Sequence, residues 1–280
     1  MWTTLALMSA LSVTPAQSGK LELKNARFTY GILGQERKDS NYLPGDMVVL
    51  AFDIEGLQVK DDGTAGYSMG MKLYSHKKKK DVFVQDPQPM TVVNSLGGTR
   101  QPVFPLTNLF PDTEPGEYTM RVDVMDTNSK AAQMIERKFT VKPLEFGIVR
   151  VGLVYLNLNE NQAGGYPLYA PPLVVPGQSL MIHFGTVGFT EGGDKNLPKV
   201  RMEMTIKDES GNTVLKKPVS GTATGYENDQ YKNLKFIPFH VPVQINRHGK
   251  FKIVLSAKDE YSNKTATFPP LDLTVLEVPK

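Results

Sequence analysis

The side chains best suited to metal or acid–base chemistry are the four histidines of the chain, His76, His183, His240 and His248. Ile182 belongs to an alternating apolar run, so its neighbours Met181 and His183 should point to the opposite face of the same strand. If His240 lies on an adjacent strand, imidazole and thioether groups would meet there, a combination that suits copper. This pattern keeps open a periplasmic metal-handling protein, although we favour surface histidines that are unrelated to each other.

Hard oxygen ligands cluster at Asp53, Glu55, Asp61 and Asp62, where a calcium ion would find carboxylates. Their spacing does not match the Asp-x-Asn-x-Asn-Gly pattern of a calcium loop. We therefore expect ordinary loop carboxylates and no bound metal.

The usual catalytic signatures are absent from the sequence. It contains no Gly-x-Ser-x-Gly elbow, no His-Glu-x-x-His helix motif and no phosphate-cradling glycine loop. With no cysteine, the chain has neither disulfides nor thiolate zinc sites nor a cysteine nucleophile. The sequence therefore predicts a protein that is not an enzyme and has no cofactor.

Three tyrosines are the candidate ligand-binding residues. Tyr155, Tyr166 and Tyr169 lie in or beside residues 157–172, a proline-containing stretch that lengthens the second half of the chain relative to the first. Insertions on a rigid scaffold are common places for binding, and flat tyrosine rings suit a sugar or an extended peptide. The alternative is that this stretch only covers an open sheet edge.

The charge distribution argues against nucleic acid as a partner. The net charge is +3, and the one dense basic run is His76–Lys80. A protein that binds phosphate backbones should carry a concentrated basic surface. Four lysines without interleaved aromatic residues fit a solvated hairpin tip, with attraction to an anionic surface as the alternative.

These residues must be positioned by an architecture that occurs twice. Pro44–Leu57 and Pro176–Phe189 both open with Pro-Gly, continue as an alternating strand and close with glycine and an apolar residue. Other landmarks recur at offsets close to 133 positions: Met69/Met71 with Met202/Met204, Val103–Leu106 with Phe236–Phe239, and Gly116–Asp126 with Gly249–Asp259. Such regular recurrence predicts an internal duplication.

The proline in each copy of the Val103 and Phe236 segments predicts an edge strand or a bulge, because proline donates no ladder hydrogen bond. Asp126 and Asp259 end matching strands and should form turns through their own carboxylates. Each copy then supplies about seven short strands and no convincing helical period, which favours an antiparallel β-sandwich.

The segment Glu114–Met120 resembles the Gly-x-Tyr approach to the penultimate strand of immunoglobulin-like domains, with Met120 where antibody-type domains have cysteine. The chain is thus similar to the bacterial immunoglobulin-like and fibronectin-III-like modules of exported proteins. This resemblance implies an all-β fold of two tandem sandwiches, residues 20–143 and 144–280. It also implies that Tyr118 forms a tyrosine corner, which Phe251 cannot form in the second copy.

Residues 1–19 carry no charge and combine a short apolar core with small residues, as a secretory signal peptide does, although a positive start is missing. No later run reaches the roughly 18 apolar residues of a membrane span. We therefore expect a secreted, periplasmic or cell-surface protein that binds an envelope protein or polysaccharide, or has a structural role there. The alternatives are a carbohydrate-binding accessory module and the metal-handling protein above.

Overall fold

The computed structural model describes residues 20–156 and 168–278, and nearly all of its regular secondary structure is β-strand. Within these ranges the only α-helix is α1 (Asp229–Asn233), one short turn capped by the Asn228 side chain. The predicted all-β class is confirmed. Among the described residues, no helix has the length and apolar character needed to cross a bilayer.

Nine strands form the first half. They are β1 (Glu22–Thr29), β2 (Asn41–Tyr42), β3 (Met47–Glu55), β4 (Thr64–Ser75), β5 (Lys80–Val93), β6 (Gln101–Val103), β7 (Leu106–Asn108), β8 (Gly116–Asp126) and β9 (Ala132–Val141). One sheet has β3 at its centre, between β1 on one side and β6 and β7 on the other. The second sheet runs β2-β9-β8-β4-β5. The apolar residues of the two inner faces belong to one buried cluster, so the sheets enclose a common core.

The second half contributes the remaining strands. They are β10 (Gly147–Tyr155), β11 (Leu173–Val174), β12 (Ser179–Val187), β13 (Glu191–Gly192), β14 (Leu197–Pro198), β15 (Val200–Asp208), β16 (Val219–Ala223), β17 (Ile237–Gln244), β18 (Gly249–Asp259), β19 (Thr265–Thr267) and β20 (Leu271–Val275). One sheet runs β10-β12-β17, and another runs β11-β20-β18-β15-β16. They too share a buried cluster.

Strand pairing agrees with the predicted positions of the prolines. In the first half the segment breaks at Phe104-Pro105 into β6 and β7, which pair only with β3 among the described strands. In the second half Pro238 lies inside β17, at the end of its sheet. Both segments are therefore edges, as the missing N–H requires.

The two predicted aspartate turns are also confirmed. The Asp126 carboxylate is fully buried and accepts from the backbone N–H groups of Asn128 and Gln58, both at 2.8 Å. Asp259 is equally buried and accepts from the N–H groups of Tyr261 (3.0 Å) and Thr190 (2.9 Å). Each carboxylate thus closes its own turn and fastens a distant loop to it.

A buried carboxylate joins the two halves. One oxygen of Asp46 accepts from Arg37 Nη1 at 3.0 Å, and the other accepts from the backbone N–H of Arg150 at 2.9 Å. The side chains of Arg37 and Asp46 are only 10% and 7% exposed. Arg150 also donates from Nε to the Gly45 carbonyl at 2.7 Å. A charged pair in the first half therefore holds the first strand of the second half.

Apolar and amide contacts surround this ion pair. Tyr30 belongs to the core cluster of the second half and meets the Phe268 ring edge-on at 4.7 Å between centroids. Gln35 donates to the Pro270 carbonyl and accepts from the Asp272 N–H. The two halves therefore share a continuous packed boundary, which fixes their mutual orientation.

The Pro-Gly turn has a second role at this boundary. Gly45 has φ +91°, and a Cβ placed there would lie 2.7 Å from Cγ1 of Val187 in the second half. The matching Gly177 has φ +93°, but nothing within 4 Å of its Cβ position. Both turns need glycine for their backbone conformation, and only Gly45 also needs it for close packing.

We expect Asp46→Asn to lower the free energy of unfolding by about 3 kcal/mol, because it removes the buried counter-charge of Arg37 and leaves only the more distant, exposed Asp39 at 3.9 Å. Urea denaturation at neutral pH measures this loss. The matched control is Gln178→Ala at the corresponding turn, where the amide only accepts from the Val175 N–H. This control should cost less than about 1 kcal/mol. Equal losses in the two variants would contradict a special role for Asp46.

Candidate binding surface

The outer face of the five-stranded sheet in the first half is the most distinctive surface of the described residues. We call it the open face; it comprises the outward side chains of β5, β4, β8 and β9. Residues paired across adjacent strands point to the same side, so the register lays them out in rows. The rows are Asp81-Tyr74-Thr119-Lys138, Val84-Lys72-Arg121-Glu136, Gly70-Asp123-Met134 and Pro89-Ser68-Met125-Ala132.

One end of the open face is a charged hollow of about 360 Å³. Tyr74 meets His76 edge-on at 5.3 Å, and His76 Nε2 is hydrogen-bonded to Thr119 Oγ1 at 2.8 Å. Lys72 and Lys138 also line this hollow, and neither forms an ion pair with another described residue. Their ammonium groups remain available to an incoming ligand.

The other end is an apolar hollow, also of about 360 Å³. Met125 and Met134 line it and are 38% and 47% exposed. The two hollows meet where Arg121 Nη2 donates to Asp123 Oδ1 at 2.8 Å, with Arg121 lining one hollow and Asp123 the other. A ligand lying along the strands would thus contact charged groups first and thioethers next.

The corresponding face of the second half has a different composition. Its rows are Lys207-Lys252-Asp272, Thr205-Val254, Ser220-Glu203-Ser256-Thr267 and Thr222-Arg201-Lys258-Thr265. Val254 is its one apolar member among these. Similar sheets therefore expose a mixed aromatic and thioether surface in one half and a hydrophilic surface in the other.

The tyrosines singled out from the sequence do not share a surface in the described residues. Tyr155 continues the inward side of β10 and packs partly against the core. Tyr169 bridges to Val154 on the outer side, with its ring 6.3 Å from that of His183. Tyr166 lies outside the described residues. The structure therefore shows no common platform formed by Tyr155 and Tyr169.

The possible metal ligands are close in register but not oriented together. His183 and His240 are direct cross-strand partners on β12 and β17. However, the His183 ring lies over Gly152 of β10, where a Cβ would come 2.2 Å from Nε2. Nε2 therefore points away from His240. Among the described residues, no group of three or more His, Asp or Glu side chains is placed to hold a metal ion.

Three of the four carboxylates considered for calcium have protein partners, and the fourth, Asp61, is exposed. Asp53 accepts at 2.7 Å from both Asn25 and Arg100, and Glu55 pairs with Lys24 at 2.7 Å. Asp62 accepts from the N–H and the hydroxyl of Thr64. These contacts account for the positions of Asp53, Glu55 and Asp62 in the fold.

An open cleft of about 920 Å³ lies beside α1 in the second half, and the sequence did not reveal it. Glu191 accepts from the Tyr226 hydroxyl at 2.5 Å and from Lys235 Nζ at 2.8 Å, which fixes one wall. Burial, followed by the Glu191 hydrogen bond, raises the pKa of Tyr226. Because Glu191 is 35 and 44 residues from its two partners, no local motif marks the group. The one sequence feature that indicates this region is Asn228-Asp229, a residue pair typical of the start of a helix.

No family model matches the chain, and no curated protein matches it. Several solved structures are similar to it. Red sea bream transglutaminase is 10% identical over 95% of this chain, with a TM-score of 0.26. Pseudomonas fluorescens alkylpurine DNA glycosylase AlkC bound to DNA containing an abasic site analog is 10% identical over 45% of this chain, with a TM-score of 0.30. Dimeric latent PorU from Porphyromonas gingivalis is 9% identical over 92% of this chain, with a TM-score of 0.39. The matches cover 32%, 31% and 20% of those chains.

We expect His183 to make the stability of the protein sensitive to acid. Burial lowers the pKa of His183 to about 4 from an ordinary value of 6.5, and the neighbouring His240 acts in the same direction. The unfolded chain therefore takes up this proton first as the pH falls. The contribution of the neutral His183 to the free energy of unfolding is complete above about pH 6.5. It is lost as the pH falls towards about 4.

The test is urea unfolding at pH 7 and pH 4.5. Over this interval the protein should lose about 2 kcal/mol more than a His183→Gln variant does. His248→Gln, which alters an exposed histidine, should keep the pH dependence of the unaltered protein. An unaltered pH dependence in His183→Gln would show that the imidazole titrates normally.

Proposed function

We propose that this chain is an exported, non-catalytic binding module of the cell envelope, built from two immunoglobulin-like β-sandwiches, residues 20–143 and 144–280. Its open face contacts the partner, and its second half holds that face in a fixed orientation. The observation that carries this proposal is the contrast between the outer faces of two similar sheets.

The order in which the chain visits its sheets supports the immunoglobulin-like assignment. In the first half β1 and β3 lie in one sheet and β2 in the other; the chain then crosses with β4 and β5, returns with β6 and β7, and crosses again with β8 and β9. Such repeated crossing is typical of the Greek-key sandwiches of that class. The short strand β2 pairs in parallel with β9, and β11 pairs in parallel with β20.

A side-chain contact agrees with the same assignment. The Tyr118 hydroxyl donates to the Glu114 carbonyl, four residues upstream, at 2.7 Å. This is the hydrogen bond of a tyrosine corner. The second half has Phe251 at the matching position, where no such bond can form.

Matching strand bounds support a duplication. β3 and β12 both have nine residues and start 132 positions apart, and β8 and β18 both have eleven and start 133 positions apart. Lys130 and Asn263 follow the aspartate turns with positive φ in both halves. Two copies of one ancestral unit would be expected to retain such matching strand lengths, offsets and backbone conformations.

The composition of the open face favours a protein partner. Tyrosine, arginine and methionine are enriched at protein interfaces, and methionine adapts its shape to varied apolar surfaces. Tyr74, Arg121, Met125 and Met134 all lie on this face. An extended segment with acidic groups near Lys72 and Lys138 and apolar groups near the methionines would be complementary to it.

Export rests on residues 1–19, which lie outside the described residues. Their apolar, small-residue composition is that of a signal peptide. An envelope location is also compatible with the absence of cysteine, since the fold relies on its two cores and on the Asp46 junction.

A second candidate function is carbohydrate binding, favoured by the cleft beside α1. Tyr226 offers a ring there, and Glu227, Asp229 and Lys232 offer polar groups that bind hydroxyls. A glycan chain could lie in such an open cleft without any rearrangement of the sheet.

The primary proposal is tested with Met134→Glu/Lys138→Glu, which reverses the character of β9 on the open face. We expect the immobilised protein to retain a defined component of an envelope extract, and this variant to retain at least about tenfold less of it. The matched control, Lys207→Glu/Thr265→Glu, makes the same change in charge on the outer face of the second half. Equal retention by both variants would contradict the assignment of the open face.

The second candidate is tested by retention on insoluble polysaccharide. If the cleft binds glycans, Tyr226→Ala should abolish retention, whereas Tyr169→Ala should leave it unchanged. The reverse result would place the sugar site at the tyrosine insertion instead. Absence of retention of the unaltered protein on every polysaccharide tested would remove the carbohydrate function.

A further inference from the structure

The end of the second half that lies away from the first half combines apolar and basic side chains. β12 ends at Val187, which packs beside Gly45 of the first half, and it begins at Ser179 on the opposite side. Ser179 pairs with Gln244, which lines the same cavity as Phe251. We call this region the distal end; it comprises residues 206–217, 245–251 and 275–278.

Large apolar side chains are exposed at the distal end. Val214, Leu215, Leu276 and Val278 make up half of the exposed large hydrophobic residues described in the second half. Leu215 and Leu276 are 44% and 45% exposed. Scattered exposed apolar residues are ordinary, but a concentration of them at one place indicates a contact surface.

The core is also open at this end. In the first half the Tyr118 ring stacks on the ring of Phe139, its partner on the next strand, at 5.6 Å. The equivalent pair in the second half is Phe251 with Leu273, which fills less volume. A cavity of about 70 Å³ lies beside this pair, and Val214 lines it. The distal end therefore presents an apolar opening as well as apolar side chains.

Five exposed cations surround the apolar side chains. They are Lys207, Lys216, Lys217, Arg247 and Lys250. The ion pairs in the described part of the second half involve Arg201, Lys235 and Lys258 instead. The guanidinium of Arg247 lies over the Phe251 ring, 5.1 Å from its centroid, so its stem follows the apolar opening. The five charges are therefore available to an anionic partner.

The carboxylates of the distal end are fewer, and two of them bind backbone groups. Asp208 accepts from the N–H of Asn212 at 3.0 Å, and Glu209 accepts from the N–H of Lys250 at 3.1 Å. Glu277 is the third carboxylate of this region. The cations thus outnumber the carboxylates by two, which is most of the net charge of +3 that the whole chain carries.

We propose that the distal end docks on the surface of an anionic lipid bilayer. Such a surface attracts apolar side chains that enter the headgroup region together with cations that meet the lipid phosphates. Lysine and arginine suit this position, because their stems lie along apolar groups while their charges reach the headgroups. A soluble acidic polymer would use the charges alone and leave Val214 and Leu215 without a contact.

This contact goes beyond the binding proposed for the open face and uses different residues. Because the junction fixes the angle between the halves, a bilayer contact at the distal end would hold the open face in one position relative to the lipid surface. Failure of bilayer binding would leave the proposal for the open face unaffected.

Co-sedimentation with lipid vesicles tests the contact. We expect the protein to bind vesicles of equimolar phosphatidylcholine and phosphatidylglycerol at least about tenfold more tightly than vesicles of phosphatidylcholine alone. Added salt should weaken this binding, because it screens exposed charges. Leu215→Glu and Lys216→Glu/Lys217→Glu should each weaken binding to the mixed vesicles at least about tenfold.

The matched control is Lys79→Glu/Lys80→Glu, which makes the same change in charge on exposed residues of the first half. This variant should bind like the unaltered protein. Equal weakening by the two double variants would show a response to net charge alone and would overturn the proposal. Normal binding by Leu215→Glu would identify a purely ionic contact, as with an acidic polymer, and would overturn it too. So would an unaltered protein that does not bind the mixed vesicles.

A single thiol locates the contact independently. The chain has no cysteine, so Leu215→Cys can carry one environment-sensitive fluorophore. Its emission should shift to shorter wavelength on addition of the mixed vesicles, because the label enters an apolar layer. Leu96→Cys, at a fully exposed position of the first half, should show no shift. Equal shifts at both positions would indicate non-specific adsorption and would overturn the assignment of the distal end.

Discussion

The arrangement of the molecule depends on the burial of one carboxylate. Asp46 leaves water only because Arg37 and the N–H of Arg150 satisfy its two oxygens. Burying a charge is tolerable when each lone pair has a donor in place, so the contact specifies one geometry. Any rotation of the second half would withdraw the Arg150 donor and leave the ion pair incomplete. The fixed angle between the halves is therefore an electrostatic consequence of a tight turn.

Because the halves are held at a fixed angle, the outer faces of their two larger sheets also have fixed directions, and these faces differ in composition. The two sheets have comparable strand orders, yet one exposes Tyr74, Met125 and Met134, and the other exposes serine, threonine and charged residues. A sheet needs only its inner face to fold, and its outer face is therefore open to other requirements. The thioethers and the tyrosine ring contribute little to the core. The partner contact proposed above would account for their position on an outer face.

The sequence was sufficient for the strands and insufficient for the surfaces. Alternating apolar residues and Pro-Gly turns predicted the positions of β3 and β12, and the aspartate turns followed from the side-chain chemistry of Asp126 and Asp259. The prediction of a half-buried strand was wrong for β3, which is buried on both faces. The open face could not be found this way, because its rows depend on the register between strands far apart in the chain. The same holds for Glu191 with Tyr226 and Lys235, and for Asp46 with Arg150. Their partners are brought together only by the complete topology.

Only the first half carries the carboxylate that forms the contact between the halves. At the second Pro-Gly turn, Gln178 stands where the first turn has Asp46, and its amide oxygen already accepts from the Val175 N–H. That turn has no anion to offer to a neighbouring arginine, and the space beside Gly177 is empty. A further unit of the same design, packed against the second half, would therefore find no carboxylate equivalent to Asp46. The Asp46 contact therefore joins the first half to the second, and the second half could not form the same contact with a further unit. In this respect the pair differs from repeat proteins, in which every unit makes the same contact with the next.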